Sequence, residues 1–138
     1  MKLLIVNGPN LNLLGEREAA MYGTIPFHVY LEQLRQKYTA LTIDYKQSNH
    51  EGELIEVLHQ AHGNYHGIIL NPGAYTHTSI AICDAIKAIN VPVVEVHISQ
   101  IMAREPFRKQ SFISPVCKGC IFGFGLDSYR LAIESFIQ

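Results

Sequence analysis

Short, almost uninterrupted apolar runs alternate along this chain with segments whose apolar residues recur at helical spacing. Lys2–Val6 reads as a first strand, followed by a long polar loop to about Gly23. Helical spacing of Val29, Leu31, Leu34 and Tyr38 predicts a helix over His28–Tyr38, and Leu41–Tyr45 a second strand. Ser48, with Glu51 three residues on, has the form of a capping box, and the helix it opens runs through Glu53–His62. Gly67–Leu70 reads as a third strand ending in Asn71-Pro72-Gly73, Ser79–Ile89 as a third helix and Pro92–His97 as a fourth strand. After an irregular stretch, Cys120–Phe124 gives a fifth strand and Ser128–Ile137 a closing helix.

Near-continuous apolar strands separated by helices imply a parallel sheet covered on both faces. The expected fold is therefore α/β, a flavodoxin-like three-layer sandwich with a five-stranded parallel sheet. The whole chain, 1–138, reads as one domain, with the loop at about 8–24 as a lid because it is too long for a plain turn. In such sheets a ligand sits beyond the carboxyl ends of the strands, at the switch in strand order. The segments expected at that mouth are Asn7–Gly23, Asn71–Thr78, His97–Arg108 and Gln47–Glu51.

Composition narrows the partners. With 11 basic and 12 acidic residues the net charge is −1, which offers no electrostatic footprint for nucleic acid or an anionic membrane. No stretch reaches the ~18 apolar residues of a membrane helix. The first apolar run stops at Asn7-Gly8-Pro9-Asn10, too short for a signal peptide. Three cysteines, Cys83, Cys117 and Cys120, leave at least one unpaired within the chain and favour a reducing compartment. The expected location is the cytoplasm.

The mouth collects chemistry. Arg17 and Tyr22 lie on the first loop, Asn71 and His77 after the third strand, and His97 and Arg108 after the fourth. Such groups suit a polar, anionic substrate and proton transfer. Each also has a plainer reading. A tyrosine is often an amphipathic ring with a wet hydroxyl, Asn-Pro-Gly is a turn in its own right, and an arginine between two glutamates forms a solvated cluster. Their concentration after successive strands favours the site.

Other signals are weaker. Cys117-Lys118-Gly119-Cys120 has redox or metal spacing, but a strand follows it where a thioredoxin-like motif would open a helix. Zinc needs two further ligands, and none are at suitable spacing. His59, His62 and His66 read as surface or strand-entry residues. A flavodoxin-like layout also admits a flavin or nucleotide protein. Against that alternative, the first loop lacks a phosphate cradle and NGPNLNLLG fails G-x-G-x-x-G. No G-x-S-x-G elbow is present.

Taken together, NGPNLNLLG with Arg17-Glu18, then YG, QSNHEGEL, NPGAYTHTS, AICDAI, VHIS, REPFR and SPVCKGCIFGFGLDSYRLAI resemble the type II 3-dehydroquinate dehydratases, over essentially the whole chain and in the same order. The resemblance implies a flavodoxin-like fold and cofactor-free, metal-free anti elimination of water from 3-dehydroquinate, giving 3-dehydroshikimate through an enolate. It implies a role in the shikimate pathway of aromatic amino acid biosynthesis or in quinate catabolism, and trimers assembled into a homododecamer. It assigns Tyr22 as the proton-abstracting base with Arg17 beside it, His97 as the general acid, and Asn10 as the holder of a water. Asn71, His77 and Arg108 are implied as substrate contacts, and Ile98 and Ser99 as the pair whose backbone N–H groups take the carboxylate. Asp84 is implied to reach a neighbouring subunit's site, and Glu95 to orient His97. Glu16, Ala19 and Lys109-Gln110 depart from the family's pattern, on the lid and its rim.

The chemistry fits these residue types. A free phenol titrates near ~10 and is a poor base at neutral pH, so it needs a neighbouring guanidinium to favour its anion. Histidine is the usual donor near neutrality, and Glu95, two residues earlier on the strand, shares its face.

Overall fold

The computed structural model describes residues 1–16 and 19–137. Five strands, β1 (Lys2–Asn7), β2 (Thr42–Gln47), β3 (Gly67–Asn71), β4 (Val93–His97) and β5 (Gly119–Phe122), form one sheet. Every pairing is parallel and the order is β2-β1-β3-β4-β5. Around it lie α1 (Ala19–Tyr22), α2 (Phe27–Lys37), α3 (Glu51–Ala61), α4 (Ile80–Ala88) and α5 (Asp127–Phe136). This is the expected flavodoxin-like order.

The central strands are mostly apolar because both of their faces are covered. Leu3, Ile5, Ile69, Val94 and Val96 meet Phe27, Leu31 and Leu34 of α2 and Tyr129, Ala132 and Ile133 of α5. The alternate residues Leu4, Val6, Ile68, Leu70 and Val93 meet Leu54, Leu58 and Ala61 of α3 and Ile82, Ala85 and Ile86 of α4. The period-2 geometry of a strand thus divides one sequence between two cores. Among the described residues, no helix is long and apolar enough to cross a membrane.

Element boundaries differ from the sequence pattern by one to two residues. β2 runs on to Gln47, and β5 spans Gly119–Phe122 and ends before Gly123, whose φ of 97° turns the chain out of the ladder. Ser79 does cap α4, its Oγ accepting the Ile82 N–H at 2.9 Å. The capping box expected at Ser48 does not form. Ser48 is buried, accepts the His50 N–H at 3.0 Å and donates to Glu53, while α3 starts at Glu51 behind His50. Between them the chain bends at Asn49, and His50 is extended at φ −106° and ψ 125°.

Candidate active site

Strands β1, β3 and β4 end at the same edge of the sheet, on either side of the switch in strand order. The loops leaving β1 and β3 touch. The Gly8 N–H donates to the Asn71 carbonyl at 2.7 Å, and a Cβ on Gly8 would stand 2.6 Å from the Pro72 oxygen, so only glycine allows the contact. Asn10 adopts φ 69°, in the left-handed region that asparagine tolerates. Its N–H donates to Asn49 Oδ1 at 3.0 Å, and Gln47 Nε2 donates to Gly8 O at 3.2 Å and to the same Asn49 oxygen at 3.1 Å. Tyr75 closes the set, donating to the Asn49 carbonyl at 3.1 Å.

Between these loops lies a cavity of about 620 Å³, counting the space that opens to solvent. Asn10 and Tyr22 line it from the first loop, and Asn71 and His77 from the end of β3 and the turn after it. His97, Ile98, Ser99 and Arg108 line it from β4 onward. Eight residues singled out in the sequence therefore share one wall system. Arg17 lies outside the described residues. Glu95 stands behind the wall, and Asp84 is exposed on α4, away from the cavity. Among the described residues, no lysine lines the cavity.

His97 and Glu95 form a buried pair. His97 is 5% exposed and Glu95 0%, with 2.7 Å between His97 Nε2 and Glu95 Oε2. A carboxylate in so dry a place needs every lone pair met. Glu95 Oε1 accepts from Ser111 Oγ at 2.9 Å and Ser114 Oγ at 2.6 Å. Burial alone disfavours its charge, but the bonds from His97, Ser114 and Ser111 and the imidazole's own charge outweigh that and hold the carboxyl below its ordinary value. An ionised Glu95 accepts only, so the His97 Nε2 carries hydrogen. Nδ1 is then the nitrogen left to exchange a proton with the cavity. Thr76, fully buried, places its Oγ1 3.4 Å from the same Nε2.

Tyr22 meets a guanidinium that the sequence reading left out of its site. Arg104 Nη1 donates to the Tyr22 hydroxyl at 3.0 Å and to Ser99 Oγ at 3.2 Å, with the guanidinium carbon 5.8 Å from the Tyr22 ring centre. Arg104 Nε is buried without a hydrogen bond, 4.0 Å from Glu105 Oε2. Glu105 Oε2 instead takes the Arg108 Nε at 2.6 Å. Two arginines thus stand side by side at the rim, sharing one carboxylate.

His77 stacks on His97, ring centres 6.3 Å apart and planes at 23°. Its Nδ1 lies 2.7 Å from the Gln110 carbonyl, which can only accept, so Nδ1 carries the proton and Nε2 is an acceptor. Burial is the main cause that lowers its pKa, only partly offset by that bond, with His97 and Arg108 adding to the lowering, so the ring is neutral at pH 7. The bond uses the backbone of Gln110, so the side chain there is free to vary.

The Cys117 and Cys120 thiols are pushed up to about 12 by burial and the nearby Glu95 charge, the reverse of a reactive pair. Among the described residues, no three metal-ligating side chains converge. His66 Nδ1 accepts the Lys2 N–H at 2.9 Å, and His62 Nδ1 the Asn90 N–H at 3.1 Å.

Known proteins resemble this chain along its whole length. Residues 1–137 match the model of the family described as dehydroquinase class II. A 3-dehydroquinate dehydratase of Caldicellulosiruptor saccharolyticus is 55% identical over 96% of this chain and 93% of its own. One from an Exiguobacterium strain is 54% identical over 100% of this chain and 95% of its own. The crystal structure of the type II dehydroquinase of Butyrivibrio crossotus superposes with a TM-score of 0.96 at 42% identity, covering 100% of this chain and 98% of that one. A buried histidine–glutamate pair faces a tyrosine and an arginine across one cavity, on a chain matched from end to end, and the chain belongs to the class II dehydroquinase family.

Proposed function

We propose that the protein is a 3-dehydroquinate dehydratase that works by proton transfer alone, with no metal or organic cofactor. The observation that carries this reading is the placing of Tyr22, held by Arg104 at 3.0 Å, and His97, held by Glu95 at 2.7 Å, on one cavity. Tyr22 as phenolate takes the proton from the carbon next to the ketone, and the electron pair becomes an enolate. A guanidinium donating to the phenolic oxygen stabilises the negative charge that the oxygen carries as a base. Arg17 is proposed as a second such group.

The enolate oxygen meets a water held by Asn10, in the manner of an oxyanion site. As the enolate collapses, the β-hydroxyl leaves with a proton from His97 Nδ1, so water and a conjugated enone are formed. Acid and base act from opposite faces, which gives the anti course. Neutral His77 accepts from a substrate hydroxyl through Nε2. Asn71 and Arg108 contact the ring substituents, and the N–H groups of Ile98 and Ser99 take the carboxylate. The loop at about 8–24 acts as a lid that brings Tyr22 to the substrate.

The reading extends to assembly, as trimers within a homododecamer. Exposed Asp84 lies one turn from Ile80, which is 62% exposed. Together they make an unpartnered face on α4 suited to a neighbouring subunit. The pathway role is shikimate biosynthesis or quinate breakdown in the cytoplasm.

The test is the ultraviolet absorbance of the enone when purified protein meets 3-dehydroquinate. Absorbance should rise without added metal, survive chelators, and show no substrate trapped by borohydride. No rise refutes the activity, and a trapped adduct refutes the mechanism.

A further inference from the structure

A string of buried polar groups runs behind the cavity, and apart from Asn71 it is unused by the chemistry above. Tyr129, fully buried on α5, accepts from Asn71 Nδ2 at 2.9 Å and donates to Asn7 Oδ1 at 2.7 Å. Asn7, also fully buried, donates from Nδ2 to the Tyr45 hydroxyl at 3.3 Å. Asn7 and Asn71 stand side by side in the β1–β3 register. The string therefore runs from β3 through α5 to β1 and on to β2.

Its direction is fixed from one end. The Gly73 N–H donates to Asn71 Oδ1 at 3.2 Å, and a backbone N–H has no other option. That contact sets which end of the Asn71 amide is oxygen, so Nδ2 faces Tyr129. The Tyr129 hydroxyl must then accept from Nδ2 and send its own hydrogen onward to Asn7 Oδ1. One N–H of Asn71 is consumed by Tyr129, and the second remains for the cavity that Asn71 lines. Burial pushes the Tyr129 phenol well above its ordinary value, so its hydrogen stays in place across the working range.

We infer that Tyr129 is a positioning residue: its hydroxyl holds the Asn71 amide so that the site presents a hydrogen-bond donor, never an acceptor, to the substrate oxygen at that position. The inference rests on Asn71 contacting substrate as proposed above. Without the Tyr129 oxygen, Nδ2 loses its anchor and the amide rotates, so the contact is made by only a fraction of molecules. A contact made equally to bound substrate and transition state governs KM and not kcat.

The test compares Tyr129→Phe with Tyr45→Phe. Both remove one phenolic oxygen from the string, but only the first touches Asn71. KM for 3-dehydroquinate should rise about tenfold in Tyr129→Phe, the worth of roughly one hydrogen bond, with kcat within about twofold of wild type. Tyr45→Phe should keep the wild-type KM. Equal KM changes in the two variants, or an unchanged KM in Tyr129→Phe, overturn the inference, while an inactive wild type overturns the activity beneath it. A second measurement holds even where Tyr129→Phe fails to fold. In wild-type protein, NMR should show one slowly exchanging Asn71 side-chain N–H, with the other shifting on addition of product. Two protons alike in exchange overturn the inference.

Discussion

Replacing Glu95 with glutamine changes one atom in the most buried charged group of the site. Glutamine has the same shape, and its carbonyl oxygen keeps Ser111 and Ser114, which bind Oε1 at 2.9 and 2.6 Å. Its NH₂ then faces His97 Nε2 across the 2.7 Å contact, donor against donor. The clash is relieved when His97 moves its hydrogen to Nδ1, losing the correct tautomer, or when the amide turns over and sets its NH₂ against the two serines, and either way the counter-charge is gone. A hydrogen bond to a charged group contributes about 1.5–3 kcal/mol, which is roughly 10- to 150-fold in rate. Enone formation followed in the ultraviolet should show kcat reduced by that factor, with KM within about threefold, because Glu95 does not line the cavity.

The same substitution has a stability signature. The Glu95 carboxyl is held below its ordinary value of 4.5, so the folded state takes up its proton later than the unfolded chain does. The stability it contributes is present above that value and is lost as the pH falls through the depressed one. Wild-type melting temperature should therefore drop more steeply below pH 4.5 than that of Glu95→Gln. A variant with wild-type kcat, or one that loses affinity alone, would show that the pair does not prepare the acid.

Three further outcomes follow from the geometry. Arg104→Ala should lower kcat about 10- to 150-fold through loss of a charged donor to Tyr22, with Arg104→Lys recovering part of it; a loss confined to KM would contradict that role. Gly8→Ala places a Cβ 2.6 Å from a backbone oxygen, so calorimetry should show clear destabilisation, and an unchanged melting temperature would mean that the two loops separate freely. With their thiols pushed up to about 12, Cys117 and Cys120, both half-buried, should resist iodoacetamide at pH 8 in the native protein, and labelling at the rate of a free thiol would contradict that upward shift.

Much of this was legible because parallel strands covered on both faces leave continuous apolar runs, as in Leu3–Val6 and Ile68–Leu70. Once those were placed, the strand-end rule located the mouth without reference to any one residue. Arg104 was not singled out, since it shares the stretch AREPFR with Arg108 and its bond to Tyr22 joins residues far apart in the chain, with no local signature. Ser111 and Ser114 sit in an irregular segment with no periodicity to place them. A signal for them did exist: a glutamate within the apolar run of β4 demands buried donors, and hydroxyls three residues apart in a following loop answer that demand. Ser48 was misread because a capping box and a buried serine share one local pattern, and only the long-range engagement of Asn49 separates them. The role proposed for Asp84 rests on another subunit and has no local signature.

The central claim is that the Tyr22 oxygen removes a carbon-bound proton from the ketone ring. Single-turnover enone formation by Tyr22→Phe measures it directly, because the ring is retained and only the base is lost. Positioned proton transfer contributes ~10²- to 10⁴-fold, so the rate should fall by at least about a hundredfold while bound product still protects the fold. Enone formed at the wild-type rate would mean that another group is the base.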